Sequence, residues 1–285
     1  MATVITSVDE FSPVVAGEVV GLVITVTDDV GATVTPTEAP VVVFTDLDGQ
    51  ETTLTASSLT HPVAGPVWAA DWQPVALGHH LVRWHVDGVS ATDDVEVVGV
   101  LPVTPRKALG PGKELGSEER FRLPAVRAAI GRALARVENL AGVGVVPHRT
   151  RMRARAINGR YLALEVPAIR DVERVTAGGV DVDLTGWELT ASDAVVLPSR
   201  VGTPFVDVTF EHGLDAPPPG LREALPDLVL DYLIPSAIDA RATQLNTTDG
   251  ASYSLALESA WKTGLPRVDA AIADLAGRYA LGPRP

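Results

Sequence analysis

The sequence predicts a β-sandwich followed by an α+β domain, and three observations carry that prediction. Charge is split: residues 1–100 hold fourteen Asp and Glu against the single base Arg83, while residues 101–285 hold twenty-two of each sign. The apolar period changes too, from two in the first hundred residues to helical spacing from Leu123 onward. Between them, residues 101–117 (LPVTPRKALGPGKELGS) contain three prolines and three glycines with no usable period. A chain of 285 residues is long enough to bury two cores.

In the first segment, Val20, Leu22, Ile24 and Val26 alternate with their neighbours in VVGLVITVTD, the pattern of a strand with one buried face. AGEVV, VVVFTDLDG, TTLTA, VWAADWQP, HLVRWHV and DDVEVVGV supply further strands, with Asp48-Gly49 and Asp87-Gly88 as tight turns. Seven or eight short strands in about a hundred residues predict a sandwich. The run ALGHHLVRWHVDG and the strand after it resemble the closing hairpin of immunoglobulin-like modules, so the first unit is taken as residues 1–100, an immunoglobulin-like β-sandwich. Residues 101–117 read as a partly stiff linker.

The third segment, 118–285, opens with a helix. Leu123, Val126, Ile130, Leu134, Val137 and Ala141 share one helical face, Pro124 suits the first turn and Gly142 the stop. RTRMRARAI, YLALEVP, VERVTAGGVDVDL, WELTASDAVVL and FVDVTFEHG read as antiparallel strands, a second helix follows APPPGLREALPDLVLDYL, and PRVDAAIADLAGRYA closes the chain as a helix.

Several chemistries find no footing. Cysteine is absent, so disulfides, thiolate metal sites and a cysteine nucleophile are excluded. No apolar run reaches the length of a membrane span, and MATVITSVDEFSP lacks the basic head and apolar stretch of a secretory signal. The acidic first segment repels phosphates. Neither G-x-S-x-G, a phosphate-binding glycine loop, nor a twelve-residue calcium loop occurs, and His79, His80 and His85 lack a zinc spacing. The sequence therefore predicts no enzyme, no cofactor and no metal.

His212 has only Glu211 beside it, on the opposite strand face, and reads as part of a structural joint with Gly213 and the prolines Pro217, Pro218 and Pro219. Arg149, Arg151, Arg153 and Arg155 alternate, so a strand presents all four on one face, and ten arginines stand against the lone Glu138 in residues 120–160. With no aromatic residues interleaved in that run, a protein partner is favoured over nucleic acid. Asp215, Glu223, Asp227 and Asp231 supply acids of opposite sign to these arginines. Trp261 and Lys262, before a Gly-Leu-Pro turn, are further interface candidates. Trp68, Trp72 and Trp84 could stack sugars or fill the sandwich core; two of the three are assigned to the core.

The order of these segments is informative. A helix leads to a basic strand, LEVPAIRDVERVTAGGVDVD gives strand, turn and hairpin, FVDVTFEHGLDAPPPGLREAL follows, and TGLPRVDAAIADLAGRY comes near the end. This resembles the head–tail connector, or head-completion adaptor, proteins of long-tailed actinobacteriophages, over residues 118–285. The resemblance implies a non-enzymatic dodecameric ring that meets the portal protein on one side and downstream neck or tail proteins on the other, with genomic DNA passing through without tight binding. It places the chain in the virion at the head–tail interface, assembled in the host cytoplasm. Pro226 and Pro235 depart from the more continuous helix of that family. The alternative is a carbohydrate-binding or adhesive protein whose sandwich is the functional part.

Overall fold

A computed structural model describes residues 4–7, 12–61, 65–105, 121–190, 194–234, 244–246, 252–254 and 263–279. Trp261, Lys262, Pro235 and residues 106–117 of the expected linker lie outside them. The chain forms two compact units: residues 1–101 with 146–215, and residues 102–145 with 216–285. The strands of 146–215 are grouped by their contacts with the sandwich, and the helices with the other unit. Periodicity identifies strands but not their company, and the strands of 146–215 fold up with the sandwich.

In the first unit, β1 (Val4–Ser7), β3 (Val20–Thr27), β7 (Gly65–Trp72) and β6 (Ser57–His61) form a four-stranded sheet in the order β1-β3-β7-β6. Opposite it stands a five-stranded sheet, β2-β9-β8-β4-β5, made of β2 (Val14–Val15), β9 (Val89–Val98), β8 (Gly78–Val86), β4 (Val41–Thr45) and β5 (Glu51–Thr55). The sequence gives no usable signal for β1 or β6. Leu22, Ile24 and Val26 of β3 meet Val42, Phe44, Val82 and Trp84 of the other sheet in one core, which makes the pair a β-sandwich. The Trp72 ring stacks on Phe44 at 4.4 Å between centroids. Trp72 and Trp84 are buried and Trp68 packs against the same core, so the three tryptophans serve the sandwich interior. Asp87 and Gly88 take φ of 45° and 83°, the left-handed pair that a two-residue hairpin requires.

Residues 146–215 form a seven-stranded sheet, β13-β12-β16-β10-β11-β15-β14. Its middle is β10 (His148–Ile157), flanked by β16 (Phe205–His212) and β11 (Tyr161–Ala163). Beyond these lie β12 (Ile169–Ala177), β13 (Val180–Asp181), β15 (Ala194–Val196) and β14 (Glu188–Leu189). One face gathers Ala154, Ala156, Leu162, Val172, Val175, Val206, Val208 and Phe210 into a second core, with Met152, Leu184 and Trp187 packed at its margin.

The second unit holds three mutually packed helices, α1 (Leu123–Ala141), α2 (Pro219–Leu233) and α3 (Pro266–Tyr279), and a short hairpin of β17 (Gln244–Asn246) and β18 (Ser252–Ser254). α1 carries proline in its first turn and ends at Gly142, whose φ of 70° lets its N–H cap Glu138 O. Val126, Ile130, Leu134, Val137 and Ala141 are buried as their spacing requires; Arg127, placed by that spacing on the polar side, is buried as well. α2 runs through Pro226 without a break, and Leu221, Leu225 and Leu228 face inward. Among the described residues no helix is long and apolar enough to cross a membrane.

Candidate interaction surface

β10 is the strand on which the site turns. Its even-numbered residues from Met152 to Ala156 enter the core, and the odd-numbered ones face the other way. Arg151, Arg153 and Arg155 are exposed on that outer side. Strand pairing sets their company: Thr209 lies opposite Arg151, Asp207 opposite Arg153, and Phe205 opposite Arg155. Further along, Ile157 continues the arginine row and faces Tyr161 of β11. Phe205, Ile157 and Tyr161 are 47%, 46% and 44% exposed, and the Arg153 guanidinium sits 5.0 Å from the Phe205 ring centroid. Arginine and aromatic side chains are enriched at protein–protein interfaces relative to the rest of a protein surface.

Arg149 does not belong with the other three. It is buried, its Nε donating to Glu173 of β12 and its Nη2 to Asp48 in the β4–β5 turn, both at 2.7 Å. Burial opposes its charge, and the two carboxylates more than offset that, so its pKa is raised. Alternation places all four arginines on one side, but only the folded chain brings the Asp48 turn over the first of them. Arg149 thus fastens the sandwich to the sheet.

A second polar contact lies beside it. His148 Nδ1 and Glu96 Oε1 of β9 are 2.7 Å apart, and the His148 ring stacks on His212 at 5.4 Å. His212 ends β16, where its Nε2 lies 3.1 Å from Thr150 Oγ1 while its Nδ1 is buried without a hydrogen-bond partner. Burial, with His148 adding to it, lowers the His212 pKa to about 4. The sequence places Glu211 beside His212, but Glu211 turns to Arg170 at 3.6 Å. Among the described residues Thr150 is the hydrogen-bond partner of this ring, and Arg170 takes the neighbouring Glu211. Gly213 follows at φ 96°, donating its N–H to Ala168 O. Pro217 is buried, Pro218 is the N-cap residue of α2 and Pro219 its first residue.

The acids distribute unequally. Asp215 is engaged by Arg170. Glu223, Asp227 and Asp231 are exposed on α2 at four-residue spacing, with Arg267 reaching Asp227 at 3.4 Å. Ile234, just past the helix end, is 43% exposed. Three sandwich histidines have partners: His79 lies against Asp94, His85 against Ser90, and His80 against Gly78 O. Among the described residues no group of three or more His, Asp or Glu is placed to hold a metal ion.

Sequence reasoning missed Phe205, Tyr161, Ile157 and Ile234. Ile157 was reachable by extending the arginine series two residues; Phe205 and Tyr161 needed the strand register.

No family model matches the chain, and no curated protein matches it. Among solved structures it is similar to the Lin-41 filamin domain (14% identity, TM-score 0.27, 34% of this chain and 93% of that one). It is also similar to a chain of the neck of an empty GTA particle (19% identity, TM-score 0.36, 64% of this chain and 89% of that one). A third likeness is to the titin M10–obscurin-like 1 Ig complex (18% identity, TM-score 0.21, 34% and 93%). The sandwich is established by its own two sheets and shared core, independently of these likenesses.

Proposed function

We propose that the chain is a structural virion protein: a ring-forming adaptor at the phage neck that joins the portal to the tail or the next neck protein and continues the DNA channel. It has no catalytic role and no cofactor. The observation that carries an assembly role is the outer face of the seven-stranded sheet. It presents Arg151, Arg153 and Arg155 with Phe205, Tyr161 and Ile157 exposed, on the central strand of a sheet whose other face is already filled. Arginine and aromatic side chains anchor protein–protein contacts more than most residues do.

The neck assignment rests on the order of motifs in residues 118–285: the basic strand, the His212-Gly213 end of β16, the prolines opening α2, and Thr263-Gly264-Leu265-Pro266 opening α3. The carbohydrate-binding alternative loses its natural aromatic platform, because Trp72 and Trp84 are buried and Trp68 packs on the core.

Immunogold electron microscopy tests the assignment, with antibodies raised against residues 1–100 and phage particles whose genome encodes the chain. Label ringed around the head–tail junction is the expected result. Label at the tail tip, or none on particles when the purified protein binds the antibody, overturns it.

A further inference from the structure

We infer that the outer row of β10 docks on the exposed stripe of α2 of a second copy of this chain, Arg151-Arg153-Arg155-Ile157 against Glu223-Asp227-Asp231-Ile234. This rests on the assembly reading above and gives it a surface on each side of the contact.

Three features match. Sign is the first: three exposed guanidinium groups face three exposed carboxylates. Spacing is the second. Alternate residues of a strand stand about 6.7 Å apart, and every fourth residue of a helix about 6 Å apart, so the charges meet one to one. The third is the end of each row, where three like charges give way to an isoleucine, 46% exposed at Ile157 and 43% at Ile234. Ile234 follows Asp231 by three residues as the C-cap of the helix, its N–H still donating to Leu230 O.

Exposed ion pairs by themselves contribute little. Each row also has a local competitor, Asp207 opposite Arg153 and Arg267 on Asp227. The apolar end and the Phe205 and Tyr161 rings supply the dry part of the contact, and the charges supply register and orientation. Because the two rows differ, the contact is head-to-tail: each copy offers both, and like rows repel. Such a contact generates a closed ring when its rotation closes. Nucleic acid is the less suitable occupant of the basic row, since Asp207 lies within it and the whole chain carries a net charge of −13.

The absence of cysteine makes a direct test possible. Arg153→Cys and Asp227→Cys are made as separate chains of different tagged size, mixed and oxidised. A covalent heterodimer then reports contact between copies and nothing within one. The expected yield is about tenfold above that of Asp227→Cys mixed with Arg200→Cys, and it falls at high salt. In parallel, Arg151→Glu with Arg153→Glu raises the self-association Kd about tenfold or more, and Glu223→Lys/Asp227→Lys/Asp231→Lys does the same. Mixing these two charge-reversed chains restores association.

A heterodimer yield equal to the control overturns the inference. So does unchanged sedimentation of the folded Arg151→Glu/Arg153→Glu chain, a wild-type chain that stays monomeric through the micromolar range, or a double variant that loses only duplex DNA binding. Immunogold on wild-type particles separates the two proposals. Neck label without cross-linking removes the α2 contact alone, whereas absence of neck label removes the neck assignment whatever the cross-link shows.

Discussion

His212 invites a chemical reading, and the fold packs its ring against two aromatic neighbours. Its ring lies between His148 and Phe210, its Nδ1 is buried without a partner, and burial holds its pKa at about 4. The unfolded chain takes up a proton on this imidazole near pH 6.5, and the folded chain refuses it until about pH 4. Stability contributed by the neutral ring is therefore present above pH 6.5 and is lost as pH falls toward 4. The loss is on the order of 3 kcal/mol. Glu96 acts in the same direction: burial raises its pKa, but His148 more than reverses this, leaving it lowered, so its contribution also disappears in acid. Urea midpoints measured at pH 7 and pH 4.5 check this. His212→Leu should show a clearly smaller drop between the two pH values than the wild type, and an equal drop would mean that His212 is not the group titrating.

Among the elements, α1 and α2 show which local signals survive folding. The stop of α1 at Gly142 is written in the sequence, because a left-handed C-cap favours a residue without Cβ. Nothing lies within 4 Å of where that Cβ would stand, so Gly142→Ala tests backbone strain alone. It should lower stability by about 1 kcal/mol, read as a shift in the thermal midpoint of the helical signal in circular dichroism. An unchanged midpoint would mean that the cap relaxes without cost. Pro226 is the opposite case. It removes a hydrogen bond from the helix interior, yet it is buried with Leu225 and Val229, and packing keeps the helix running through it.

At the scale of the molecule, the joining of sandwich and sheet decides what the first unit is. Arg149 reaches Asp48 and Glu173, His148 meets Glu96, and Gly99 N–H donates to Pro147 O. Gly78 marks the closest approach: a Cβ there would stand 2.8 Å from Arg149 O and 2.5 Å from a Leu47 methyl, at a φ of 101°. Gly78→Ala should therefore cost about 2–4 kcal/mol. Arg149→Met, which leaves two carboxylates without their cation, should cost about 1–3 kcal/mol. Both effects should appear in a single transition shared by the sandwich, reported by Trp72 and Trp84, and by the sheet, reported by Trp187. Fluorescence of variants keeping one or the other set reads this out. Two separate transitions, with only one moved, would show that sandwich and sheet unfold independently.

The sequence by itself determined the alternating strands of the sandwich, the three helices, their proline starts and glycine stop, and the charge asymmetry. All of these are set by interactions within a few residues: a side-chain period of two or 3.6, a fixed φ, a missing Cβ. Only the tertiary structure decided which strands share a unit, that Arg149 is a buried strut while Arg151, Arg153 and Arg155 stay outside, and that Phe205 and Tyr161 join them. Those outcomes depend on pairings across long stretches of chain, Asp48 with Arg149 and Phe205 with Arg155. A strand's own pattern tells which residues share a face, but not what will cover that face.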